Sequence, residues 1–293
     1  MCIRDSQGTF TPNTRTVTFD GSGSQAIAGA TTFYNLTIAN TAATPSDSTD
    51  VDSDTALTVQ NALTVNDGQF QPQTGSSFNP VTIGVDGILK PDSGGALTVN
   101  GNFTNNGSFV RNAGTLTFAG TTTISGSSAT TLHHATITGS LTAPAGILSM
   151  TGNFTNSGVF AHGNGTLRFI SNALQNLTLN GPTAIFNLTV TNGTTLVETV
   201  AADNATVAGT LTNQGVIRKS RAVAGAGAVS FGLTGAHVPP HAGRDTAGQP
   251  VSYTHLRAHE TVLDLVCRLL LEKNKPITHT NHTHINYTYT LVT

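Results

Sequence analysis

Cysteine is nearly missing from this chain. There are two in 293 residues, Cys2 and Cys267, one close to each end. Nothing between them can rely on a disulfide or a thiol. Tryptophan is absent, aromatics make up 6% and charged residues 10%. That is a poor supply of the bulky side chains that fill a globular enzyme core. A net charge of −2 excludes both the basic footprint of a nucleic-acid binder and a strongly charged disordered tail. Between residues 7 and 249 there is one glutamate, Glu198, so paired-glutamate acid–base catalysis is excluded there. No apolar run reaches the roughly 18 residues of a membrane-spanning helix. No basic-then-apolar leader stands at the start.

The two ends share an oddity. With permitted codons, Met1–Asp5 can be written ATG TGT ATA AGA GAC. The reverse complement, GTC TCT TAT ACA CAT, translates as Val251–His255, and the match runs two bases further into Ser6 and Pro250. Folding gives no reason for such a relation. Residues 1–6 and 250–273 resemble the inverted transposon end of a sequencing-library adapter read through in translation. They are set aside from fold reasoning, as a fusion scar would be. Both cysteines and the helical pattern Leu263, Val266, Leu269, Leu270 belong to that material. The His-rich "HTNHTH" at 279–284 is read as non-native tail (274–293) rather than a metal site. The remainder, about residues 7–249, is expected to be an internal fragment, so the missing leader says nothing about export.

What is present is repetition. "GTFTPNTRTVTF" (8–19), "GSFVRNAGTLTF" (107–118) and "GVFAHGNGTLRF" (158–169) run from Gly to Phe over one length. "NLTI" (35–38), "HATI" (134–137) and "NLTV" (187–190) follow them. The separations are 17 positions from Phe19 to Leu36, 17 from Phe118 to Ala135 and 19 from Phe169 to Leu188. A third family, "GNFTNNG" (101–107), "GNFTNSG" (152–158) and "GTLTNQG" (209–215), recurs after 51 and then 57 residues. "LTVNDGQF" (63–70) reads as a decayed copy.

Each unit predicts short strands. Val17/Phe19, Leu36/Ile38, Leu97/Val99, Leu116/Phe118, Leu167/Phe169 and Leu188/Val190 alternate with polar residues, so one face is buried and the other wet. Gly and Asn mark the corners. Units this small bury a core only by stacking. The expected fold is all-β: a parallel β-solenoid over residues 7–220, with two or three coils per 51-residue repeat and Thr and Asn stacked into ladders. Tandem β-sandwich repeats are the alternative, disfavoured by the short strands and the missing tryptophan. Residues 221–249, with Arg221 and Pro239–Pro240 after the Arg218–Lys219 pair, read as an irregular end or linker.

The pattern "GTLTF…NLTI" with "GNFTNNG" resembles the repeats of large bacterial surface proteins of the haemagglutinin-like or autotransporter-passenger kind, over about residues 8–215. The resemblance implies a secreted or cell-surface protein with an adhesive or structural role and no catalysis of its own. It also implies surface glycans or other surface proteins as partners.

Chemistry-bearing constellations are few. Asp50, Asp52 and Asp54 alternate like the opening of a calcium loop, but Thr55 and Asn61 stand where its glycine and glutamate would be. Asp20, Lys90, Arg111 and Arg168 are scattered and predict no charge ladder. His133 and His134 are adjacent, so on a strand they would point to opposite faces and share no metal. Thr121 and Thr123 form a Thr-x-Thr element of the kind that orders water as ice does, but it does not recur at fixed spacing. The Asn-x-Thr triplets at Asn35, Asn102, Asn153 and Asn187 fit a glycosylation pattern and also fall at repeat-determining positions. No catalytic, cofactor-binding or metal-binding residue is expected, and no cofactor. A carboxylate cluster on one face would point instead to a carbohydrate-active β-helix enzyme, and a flat Thr array to an ice-binding module.

Overall fold

The computed structural model describes residues 10–41, 51–199 and 205–219, with the backbone of Gly232–Leu233. Residues 1–9 and 234–293 lie outside the described residues, and with them both adapter-like segments, Cys2, Cys267 and "HTNHTH". Asp50 and Arg221 also lie outside them. Everything described belongs to one compact unit, Met1–Gly243.

All the described regular structure is β. Strands β1 (Thr16–Phe19), β2 (Gln25–Ile27), β3 (Thr32–Ala39), β4 (Val51–Ser53), β5 (Thr58–Gln71), β6 (Ser77–Phe78) and β7 (Val81–Leu89) form the first part. There follow β8 (Leu97–Val99), β9 (Phe103–Asn105), β10 (Ser108–Phe109), β11 (Thr115–Phe118), β12 (Thr121–Ser125), β13 (Thr130–Leu132), β14 (His134–Ile137), β15 (Ser140–Thr142), β16 (Ile147–Met150) and β17 (Phe154–Asn156). The last are β18 (Val159–Ala161), β19 (Thr166–Phe169), β20 (Leu174–Leu179), β21 (Thr183–Ile185), β22 (Asn187–Val190), β23 (Thr195–Glu198), β24 (Ala205–Val207), β25 (Leu211–Asn213), β26 (Val216–Lys219) and β27 (Gly232–Leu233).

Every pairing is parallel, which removes the β-sandwich alternative. From β8 onward most strands pair with the strand three places later: β8 with β11, β11 with β14, β14 with β17, β17 with β20, the breaks falling between β10 and β13 and between β18 and β21. Three strands therefore make one turn, and the chain climbs through about ten turns of a β-solenoid. Parallel neighbours need a long return path. Here the other two faces of the same turn provide it.

The alternation read from the sequence is the burial pattern. Strands β11, β14, β19 and β22 each run intermediate–buried–intermediate–buried. Like positions stack: on one face Phe33, Val59, Phe78, Val99, Phe118 and Ile137 follow one another turn by turn, all buried. Each such side chain contributes about 1.5–3 kcal/mol by leaving water. Phe103 meets Phe109 edge-on at 5.4 Å, and 51 residues on Phe154 meets Phe160 in the same way at 5.3 Å.

Each Gly-to-Phe block pairs in register with the strand that follows it. Thr16–Phe19 lies against Asn35–Ile38, Thr115–Phe118 against His134–Ile137, and Thr166–Phe169 against Asn187–Val190. The length of the repeat falls between the two and three turns expected. The "FTN" strands are β9 and β17, and the related "LTN" strand is β25, so one repeat is eight strands. Eight strands at three per turn is two and two-thirds turns, and successive copies occupy successive faces.

The corners explain the motif. In "GNFTNSG" the side chain of Asn156 turns inward and its Oδ1 accepts from Gly158 N at 3.2 Å; Asn213 does the same with Gly215 N at 3.2 Å. Gly158 and Gly107 are required by closeness to the turn below. A Cβ on either would overlap a backbone oxygen, that of Gly139 or of Gly84 respectively.

Candidate binding surfaces

The outward residues of the face carrying β8, β11, β14 and β17 form a single file of hydroxyls. Pairing places Thr32, Thr58, Ser77, Thr98, Thr117, Thr136, Thr155 and Thr178 in succession. The ninth, Thr199, is joined to Thr178 through their hydroxyls at 2.7 Å. At the sheet spacing of about 4.8 Å per turn the file is roughly 38 Å long. Beside it stand small or amide side chains and one imidazole: Asn79, Asn100, Ala119, Thr138, Ser157 and Asn180 on one flank, Ala96, Thr115, His134, Asn153 and Asn176 on the other. No Asp, Glu, Lys or Arg occurs on this face between Thr98 and Thr178. The sequence hid the file because its members are unevenly spaced. A second file, Thr18, Thr37, Thr64, Thr82, Thr104 and Ser125, runs up the face of β1, β9 and β12. Thr121 and Thr123 belong to β12 and pair with Ser140 and Thr142.

The charges are less dispersed than the sequence suggests. On the face of β2 and β4, Asp52 is paired with Gln71 and Lys90 follows on the next turn, its N–H donating to Phe70 O at 2.9 Å. Val110 follows Lys90, its N–H donating to Leu89 O at 2.9 Å. Asp92, Arg111 and Asn112 join them around an open recess of about 410 Å³. Gln71 Nε2 donates to Asp92 Oδ1 at 3.4 Å, and Asn112 Nδ2 donates to Pro91 O at 3.1 Å and to Asp92 O. Among the described residues Arg111 has neither hydrogen bond nor ion pair and is exposed. The ladder is interrupted beside this recess. Ser108–Phe109 pairs with Ile88–Leu89 below, while Thr130–Leu132 above starts a separate five-stranded sheet. Asp20 and Arg168 lie elsewhere, so the expected absence of a ladder of like charge holds for Arg111 and Arg168.

The histidine pair corrects the opposite-faces argument. His133 is a corner residue between β13 and β14, not a strand residue. The chain bends there and the two rings meet at 4.1 Å. His133 Nδ1 is 3.1 Å from Thr151 Oγ1, and His134 Nδ1 accepts from Asn153 N at 2.8 Å. Burial, then the neighbouring His134 and Arg111, holds the His133 pKa below its ordinary 6.5.

Asp54 Oδ1 accepts from Gly29 N at 2.8 Å while Asp52 borders the recess. Among the described residues no group of three His, Cys, Asp or Glu is placed to hold a metal ion, and no helix is long and apolar enough to cross a membrane. The asparagines of the Asn-x-Thr triplets tie adjacent turns. Asn102, Asn153 and Asn187 each accept through Oδ1 from a backbone N–H one turn on, that of Thr123, Asn176 and Thr210 at 3.1, 2.9 and 2.8 Å. Asn35 bridges Thr16 Oγ1 and Asn61 Nδ2 at 3.2 and 2.7 Å.

No family model matches this chain, and comparison with curated proteins and with solved structures finds no match.

Proposed function

We propose that this chain is a length of the non-catalytic rod of a bacterial secreted or cell-surface protein, and that it adheres to surface glycans through its uncharged hydroxyl and amide face. The file from Thr32 to Thr199 carries this reading. A face that displays one hydroxyl per turn, with amides beside it, can exchange hydrogen bonds with a neutral polyhydroxyl surface without desolvating a charge. The likeness of the repeats to haemagglutinin-like and autotransporter-passenger proteins supports the same role and location. The test is adhesion of beads coated with the purified chain to immobilised neutral polysaccharides. Lysines replacing Thr117, Thr136 and Thr155 should abolish adhesion, whereas lysines at Thr166 and Asn187 on another face should not. Equal adhesion by both variants would sink the proposal.

The same file favours a second reading, ice binding, which would show as inhibited ice recrystallisation that the three lysines remove. We also propose that residues 1–6 and 250–273 derive from an adapter. An adapter-free long read of the source DNA in which they persist would refute this.

A further inference from the structure

We propose that the recess bordered by Asp52, Gln71, Lys90, Asp92, Val110 and Arg111 is a separate binding site for a carboxylate-bearing sugar, such as the uronate end of an acidic polysaccharide. The inference rests on the glycan-adhesion reading but uses a different surface.

Three observations lead to it. First, charge is scarce on this rod, and Arg111 is the only charged residue between Asp92 and Arg168. Yet two basic and two acidic side chains from three of four successive turns border this one recess. Second, Arg111 presents a planar guanidinium to solvent with no hydrogen bond or ion pair among the described residues. That fork matches a carboxylate in two-point fashion. Third, the site lies where the ladder breaks after Phe109, so its shape comes from a seam in the sheet and not from the repeating face.

The remaining residues select a sugar over an acidic peptide. Asp92 and Asp52 can accept from the ring hydroxyls that a sugar carries and the side chains of an acidic peptide lack. Gln71, held to Asp92 at 3.4 Å, adds an amide. Val110, 38% exposed, offers an apolar ledge for the C–H face of a ring. At about 410 Å³ the recess has room for a saccharide unit.

The test titrates the chain with a galacturonic acid trimer and with a galactose trimer, reading heat of binding and the Arg111 Nε–H resonance. The acidic trimer should bind and shift that resonance, and the neutral one should not. Arg111→Gln should weaken binding by about tenfold or more, with Arg111→Lys between the two. Thermal midpoints report that the variants remain folded. Equal binding of both trimers, indifference to Arg111→Gln, or no binding of the acidic trimer would overturn the proposal. The neutral-surface adhesion assay separates the two ideas. Arg111→Gln should leave it unchanged, and loss of adhesion by the threonine-to-lysine variant should leave uronate binding intact.

Discussion

Thr178 and Thr199 are 21 residues apart in sequence and one turn apart in the solenoid, and their hydroxyls meet at 2.7 Å. The contact exists because the inward residues of their strands, Leu177 and Glu198, are paired in register. Inward packing fixes the register, and the outward side chains inherit it. A double-mutant cycle with Thr178→Val and Thr199→Val should give a coupling of about 0.5–1.5 kcal/mol by urea unfolding. Additive single effects would mean the hydroxyls do not interact in solution.

Gly158 touches the backbone of the turn beneath, so Gly158→Ala should cost about 1–3 kcal/mol through overpacking. Gly23 has open space where a Cβ would stand, with nothing within 4 Å. Gly23→Ala should therefore leave the urea midpoint unchanged or slightly raised. Equal effects at the two sites would contradict the stacking geometry.

Glu198 and Lys219 form a buried ion pair at 3.7 Å, where the turns below place Leu177 and Phe154. Glu198 Oε1 also accepts from Ala205 N at 3.2 Å. Glu198→Ala should destabilise by about 3–5 kcal/mol, because it breaks a buried ion pair. Glu198→Leu with Lys219→Met should recover most of that, and calorimetry of the two variants decides it.

His133 makes stability depend on pH. Its folded pKa lies below the ordinary 6.5, so the unfolded chain takes the proton first. Its contribution is complete above about pH 6.5 and is lost as pH falls from there toward the folded value. The thermal midpoint should drop on acidification across that window, and the drop should be smaller in His133→Asn. An identical pH profile for the variant would remove His133 as the cause.

Much of this architecture was legible before any coordinates. Period-two alternation in "TLTF" and "NLTI" is enforced by a core that accepts apolar side chains from one side only. The Gly-to-Phe blocks and the strands that follow them stood out as recurring segments, and the structure places them one turn apart. The two binding surfaces were not legible. Members of the hydroxyl file follow one another at intervals from 19 residues (Thr98 to Thr117) to 26 (Thr32 to Thr58), because successive turns differ in length. Lys90 and Arg111 looked scattered for the same reason. The His133–His134 geometry was missed because the periodicity gave no sign that a corner falls between β13 and β14.

The eight-strand repeat has a genetic consequence. Tandem repeats gain and lose whole copies by recombination. Adding one copy here would lengthen the rod by two and two-thirds turns and swing everything beyond it round by a third of a revolution. Its hydroxyl files would then face a new direction relative to the base. Only three copies together restore the original heading, so copy number in this rod sets azimuth as well as reach.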